Sequence, residues 1–127
     1  MDVPLGRLVR RSEYLRVAKT GRKAAMPGLV LQAAADGAGP AGLRVGITAS
    51  RKVGNAVLRN RARRRLREAI RLVFPCHAAP GHDYVVIARH TTPSRPFAEL
   101  QRDMVRALAR LKLDPAGRPA DAVDGRS

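Results

Sequence analysis

The stretch from Asn55 to Phe74 constrains this chain more than any other: twenty residues of helical period, entered at an Asn and followed by Pro75. At about 100° per residue, Ala62, Leu66, Ala69, Ile70 and Val73 gather within about a third of the circumference, a stripe wide enough to dock on a sheet. Arg61, Arg64, Arg67 and Arg71 lie within about 120° on the opposite side, with Asn60 among them and Glu68 as the single acidic neighbour. Solvated charged helices gain support by alternating sign at i, i+4, whereas like charges at that spacing repel by about a few tenths of a kcal/mol per pair. Arg63 with Arg67, and Arg67 with Arg71, repel unless a polyanion neutralises them. A DNA-reading helix would present the same residue types, but no companion helix-turn-helix precedes Asn55; a glycine-bearing strand-to-helix junction does.

The rest of the composition points the same way. Against 10 Asp plus Glu stand 25 basic residues, 21 of them Arg, for a net charge of +15. Charge of this size repels itself in a compact fold and is usually neutralised by nucleic acid. Arg in preference to Lys favours forked contacts to phosphates and stacking on bases. No apolar run approaches the roughly 20 residues of a spanning helix, and no signal peptide opens the chain, so a soluble cytoplasmic protein is expected. A membrane-surface binder is disfavoured by the dispersed charge. Cys76 is the single cysteine, which excludes an intrachain disulfide.

A length of 127 residues suits one domain, and with 3% aromatic residues and no Trp its core must be aliphatic. Met1 to Arg11 reads as an extended basic arm. Ser12 is placed to cap a short helix with Glu13 in its first turn, ended by Gly21. Arg22 to Met26 and Leu29 to Ala35 read as strands. Asp36 to Gly42 is a turn-rich linker, and Leu43 to Ala49 completes an expected hairpin with Leu29 to Ala35. Leu43, Val45 and Ile47 share one face of that strand, Arg44 the other. Beyond the long helix, Cys76 to His82 reads as a loop. Asp83 to Arg89 holds a continuous apolar run typical of a central strand buried on both faces. Pro96 opens an amphipathic helix carrying Phe97, Leu100, Met104, Leu108 and Leu111. The chain divides into one domain over residues 1–113 and a disordered tail over 114–127.

The segment RVGITASRKVGNAVLRNRARRRLREAI, Arg44 to Ile70, resembles the signature of the bacterial ribonuclease P protein, whose RNR motif corresponds to Arg59, Asn60 and Arg61. The resemblance extends over RLVRRSEYLRVAKTGRKAAMPGLVLQ before it and GHDYVVIAR after it, about Arg7 to Leu111 in all. It implies an α+β fold: a single-domain αβββαβα sandwich with a left-handed βαβ crossover, of the kind found in the second domain of a small-subunit ribosomal protein. It also implies a role as the protein subunit of ribonuclease P. In this family a catalytic RNA, with magnesium ions held mainly by that RNA and none bound by the protein alone, removes the 5′ leader of precursor tRNA. Two surfaces carry over. Arg51, Lys52, Asn55, Arg59, Asn60, Arg61, Arg63, Arg64 and Arg67 correspond to the face on the catalytic RNA. Tyr14, Val17 and Val30 correspond to a cleft for the single-stranded leader, where an aromatic can stack on an unpaired base without reading sequence. Ala18 and Gln32 stand where many relatives carry aromatics, which leaves Tyr14 as the main stacking candidate. The same charge and size also fit a structural RNA-binding protein of the ribosomal type with no part in cleavage.

No protein-based catalytic site is legible. His77, His82 and His90 with Cys76 fall on stretches read as loops, without ligand spacing for a metal. Asp83 and Glu68 read as isolated acids, and Ser50 has no evident base, so no catalytic residue is assigned.

Overall fold

The computed structural model describes residues 5–35 and 42–111. The tail expected from Asp114 and nearly all of the linker expected over Asp36 to Gly42 lie outside the described residues. In chain order the elements are β1 (Gly6–Arg7), α1 (Arg11–Thr20), β2 (Arg22–Ala25), β3 (Leu29–Ala35), β4 (Leu43–Thr48), a 3-10 turn (Arg51–Val53), α2 (Ala56–His77), β5 (His82–Ala88) and α3 (Phe97–Leu111). This is the expected αβββαβα order with one short strand added at the front. β1 turns part of the supposed irregular arm into sheet by pairing in parallel with Arg44 and Val45.

The five strands stand in the order β1-β4-β5-β3-β2. β5 is the central strand, as its unbroken apolar run requires. It pairs antiparallel with β3 and parallel with β4. The expected hairpin between β3 and β4 is therefore wrong: β5 lies between them, and the hairpin is β2 with β3, closed where Met26 N–H donates to Leu29 O at 2.8 Å. The parallel β4–α2–β5 unit needs a long crossover, and α2 supplies it.

Alternation along the strands sends side chains to two cores. The larger lies under α2 and α3 and includes Leu31, Val45 and Val86 from the sheet, with Leu66, Ile70, Phe74, Leu100 and Met104 from the helices. All five stripe residues of α2 are buried there, together with Phe74, whose ring meets Tyr84 edge-on at 5.2 Å. On the other face α1 covers a smaller cluster of Leu8, Val17, Ala34 and Val85.

Helix ends depart from the sequence reading in two places. Ser12 does not cap α1; Arg10 holds the N-cap position, and Glu13 in the first turn reaches back to it, its Oε1 accepting from the N–H groups of Val9 and Arg10 at 2.9 Å each. At the other end of the molecule α2 does not stop before Pro75 but runs through it to His77. Pro75 gives up the amide that would bond the Arg71 carbonyl, in a last turn where both residues are exposed. Cys76 and His77 are thus exposed helical residues, and His82 is a buried strand residue.

Candidate RNA interface

The approach to α2 is built so that basic side chains must point outward. Ser50 caps the 3-10 turn by accepting from Lys52 N–H, and Val53 is buried beneath it, which leaves Arg51 and Lys52 exposed. Gly54 follows at φ 142°, a conformation that favours glycine, and a Cβ there would also stand 2.6 Å from Leu58 Cδ1. Asn55 then caps α2, its Oδ1 accepting from Leu58 N–H at 3.0 Å. With that register fixed and the apolar stripe on the sheet, Asn60, Arg61, Arg64 and Arg67 are exposed.

Two arginines of the expected RNA-contact set are held more closely. Arg59 is half-buried and donates to Gly54 O at 3.1 Å, so it braces the strand-to-helix junction at the edge of the face. Arg63 donates to Asn60 Oδ1 at 3.2 Å and to Ala49 O at 3.4 Å, tying the helix to the end of β4. Arg65 points the other way. It donates to Arg95 O and its guanidinium lies 5.8 Å from the centroid of the Phe97 ring, so it joins α2 to α3 rather than the outward face.

Acidic partners explain why this face stays cationic. Among the described residues every Asp and Glu is engaged by an arginine, and almost all of those pairs lie elsewhere. Asp83, at 0% side-chain exposure, accepts from Arg44 at 2.7 and 2.8 Å and from Arg16 at 2.9 Å, while Arg44 also reaches Glu13 at 2.8 Å. Buried Asp103 and exposed-edge Glu99 both take Arg95. Burial alone would raise the Asp83 carboxyl, but hydrogen bonds from Arg44 and Arg16 outweigh it and hold the group below the usual carboxylate range. Asp83 is therefore not the isolated acid that the sequence suggested. The available signal was an Asp inside a strand buried on both faces, which requires a cation, but the sequence does not say which arginine supplies it. Glu68 is not isolated either: it takes Arg71 at 2.5 Å on the surface of α2. Arg51, Lys52, Arg61, Arg64 and Arg67 have no carboxylate within salt-bridge distance among the described residues.

The three residues matched to a leader cleft are not equivalent. Tyr14 is half-buried, its ring seated on Gly46, where a Cβ would lie 2.4 Å from the phenol oxygen. Its hydroxyl donates to Leu8 O at 3.3 Å. Val30 is half-buried on β3. Val17 has no exposed surface and packs in the smaller core, so it supports the position of α1 rather than presenting a contact. No group of three or more His, Cys, Asp or Glu side chains among the described residues could hold a metal ion. No helix among them is long and apolar enough to cross a membrane.

The family model described as Ribonuclease P matches residues 5–112. The chain is 52% identical to the ribonuclease P protein component of Paramagnetospirillum magneticum, the match covering 98% of this chain and 96% of that protein. It is 53% identical to that of Ruegeria pomeroyi, over 82% of this chain and 84% of the relative. Among solved structures, the RNase P protein of Staphylococcus aureus superposes with a TM-score of 0.70 at 28% identity, covering 84% of this chain and 94% of that one. The RNase P protein of Thermotoga maritima superposes with a TM-score of 0.67 at 27% identity, covering 79% and 92%.

Proposed function

The chain belongs to the ribonuclease P protein family, as a subunit that partners the ribonuclease P RNA in tRNA processing, and from that premise we propose how its surfaces divide the work. The outward side of α2 with its approach, Arg51, Lys52, Asn55, Asn60, Arg61, Arg64 and Arg67, lies on the catalytic RNA, with Arg59 and Arg63 at its edge. Guanidinium groups neutralise phosphates there and add planar hydrogen bonds. The RNA performs the hydrolysis that frees the mature tRNA 5′ end, and it holds the magnesium ions. The protein holds the single-stranded leader of precursor tRNA near Tyr14 and Val30. This work is done in the cytoplasm.

The observation that carries this reading is that Arg51, Lys52, Arg61, Arg64 and Arg67 meet no carboxylate among the described residues, in a chain whose described acids are each bound by some other arginine. The same pairing supports leaving the metal ions to the RNA, because the described carboxylates are already occupied. Reconstitution tests the proposal. The protein alone should not cut precursor tRNA, and adding it to the cognate RNA should restore cutting at magnesium concentrations too low for the RNA by itself. An absence of stimulation would overturn it.

A further inference from the structure

The α3 helix carries a second row of cations without acidic partners. Arg102, Arg106 and Arg110 are exposed and recur every fourth residue, which sets them about 6 Å apart along one side of the helix. The acids of α3 do not serve them: Arg95 takes buried Asp103 at 2.6 Å and Glu99 at 3.3 Å, and no carboxylate among the described residues lies within salt-bridge distance of the row. Like charges at this spacing repel. Arg110, in the last turn, complements the helix dipole, but Arg102 and Arg106 have no such compensation.

This row does not continue the α2 face. Phe97 marks the side of α3 that meets α2, because the Arg65 guanidinium lies against its ring. Arg102, Arg106 and Arg110 stand about 140° to 220° round the helix from Phe97 and so point away from α2. The next buried position round the wheel is Asp103, at about 240°, and its carboxylate lies against Gly28 in the turn between β2 and β3. The row therefore leans toward the outer edge of the sheet, where α3 packs on β2. Arg22 of β2 shares the pleat side of Ala24, which is buried in the larger core, and adds an exposed cation to that edge.

What this face lacks selects its occupant. The chain's two Phe and two Tyr rings are all placed elsewhere: Phe74 and Tyr84 in the larger core, Phe97 against Arg65 and Tyr14 on Gly46. None of the exposed large apolar side chains among the described residues belongs to α3 or β2. A single strand held with its bases splayed needs stacking surfaces, and this face offers none. Double-helical RNA turns its bases inward and its phosphates outward, which suits a row of guanidinium groups without aromatic neighbours.

We propose that α3, with Arg22 on the edge of β2, is a second RNA contact that lies along the phosphate backbone of a duplex segment of the ribonuclease P RNA, separate from the segment beneath α2. The protein thereby bridges two parts of one RNA. The proposal rests on the catalytic RNA being the partner, as read above, and adds a surface which that reading does not use.

The test uses the full chain and the cognate ribonuclease P RNA, without and with precursor tRNA. The wild type should protect two separate segments of the RNA backbone from hydroxyl-radical cleavage. Arg102→Ala combined with Arg106→Ala should remove protection from a base-paired segment and leave the other intact. The same variant should make the salt dependence of binding shallower by about 1.8, or about 0.9 for each lost duplex phosphate contact. Alanine suits exposed helix positions, so α3 should stay folded, which circular dichroism checks. Arg102→Lys combined with Arg106→Lys retains the charge and should keep the slope. Arg61→Ala combined with Arg64→Ala should remove the other segment. Unchanged protection and slope in the α3 alanine variant would overturn the proposal and leave the face to a partner other than this RNA. Loss of one and the same segment from both alanine variants would also overturn it, as would an effect that appears only once precursor tRNA is added, which would assign the face to the substrate. A wild type that binds no ribonuclease P RNA would overturn the functional reading itself, and this proposal with it.

Discussion

Around Asp83, arginines meet carboxylates at 2.7 to 2.9 Å, whereas along the outward side of α2 Arg61, Arg64 and Arg67 meet none among the described residues. The residue type is the same and the local consequence is opposite. At Asp83 the acid has no exposure, and Arg16 and Arg44 are the groups that make its burial tolerable, so the cluster ties α1 and β4 to the central strand. On α2, Arg61, Arg64 and Arg67 are exposed, and like charges at this spacing repel one another. They are held in one register by the buried stripe beneath them and wait for charge from another molecule. The difference teaches that the +15 of this chain is not spread as a uniform coat: acids have been spent where arginine is structural and withheld where it binds.

Breaking the paired cluster should produce the largest effect. Asp83→Asn is expected to cost about 2–4 kcal/mol in denaturant unfolding, somewhat under a fully buried pair because the arginine partners reach water. Once folded, that variant should bind the catalytic RNA as the wild type does. The same contrast has a pH signature. Since the folded carboxyl titrates below its ordinary value of about 3.9, the stability it contributes is complete above that value and is lost as pH falls through the lowered one. Wild-type stability should decline steeply with acid below about pH 4, and the Asp83→Asn curve should be flatter there; parallel curves would mean the cluster is not what titrates.

A smaller effect is expected at the cap that sets the register of the binding face. Asn55→Ala removes the bond to Leu58 N–H and should lower the unfolding free energy by about 1 kcal/mol. The smallest belongs to Ser12→Ala, which should stay within about 0.5 kcal/mol because Ser12 lies inside α1 and Arg10, not Ser12, is its N-cap, with Glu13 accepting from the Val9 and Arg10 N–H groups. A loss near that of Asn55→Ala would restore Ser12 as the cap.

These cases also mark how much the sequence disclosed. The stripe of α2, its Asn55 entry and the central position of β5 were legible because each is written in local periodicity. The β2–β3 hairpin was misassigned to β3 and β4, since nothing in either strand records that β5, some forty residues later, inserts between them. Pro75 misled for a different reason: a proline reads as a stop, but α2 carries it in its last turn, giving up the bond to the Arg71 carbonyl at an exposed residue. In the site, Arg61, Arg64 and Arg67 could be placed outward from the wheel alone. The burial of Val17 and the pairing of Asp83 with Arg16 and Arg44 depend on contacts between elements distant in sequence, which no local pattern carries.

The salt dependence of binding to the catalytic RNA tests the two arginine populations most directly. Arg61→Ala and Arg64→Ala should each weaken binding and make its dependence on salt shallower by about 0.7–0.9, the signature of one lost phosphate contact, with unfolding free energies unchanged to about 0.5 kcal/mol. Slopes identical to the wild type would show that these side chains are not at the RNA and would contradict the account.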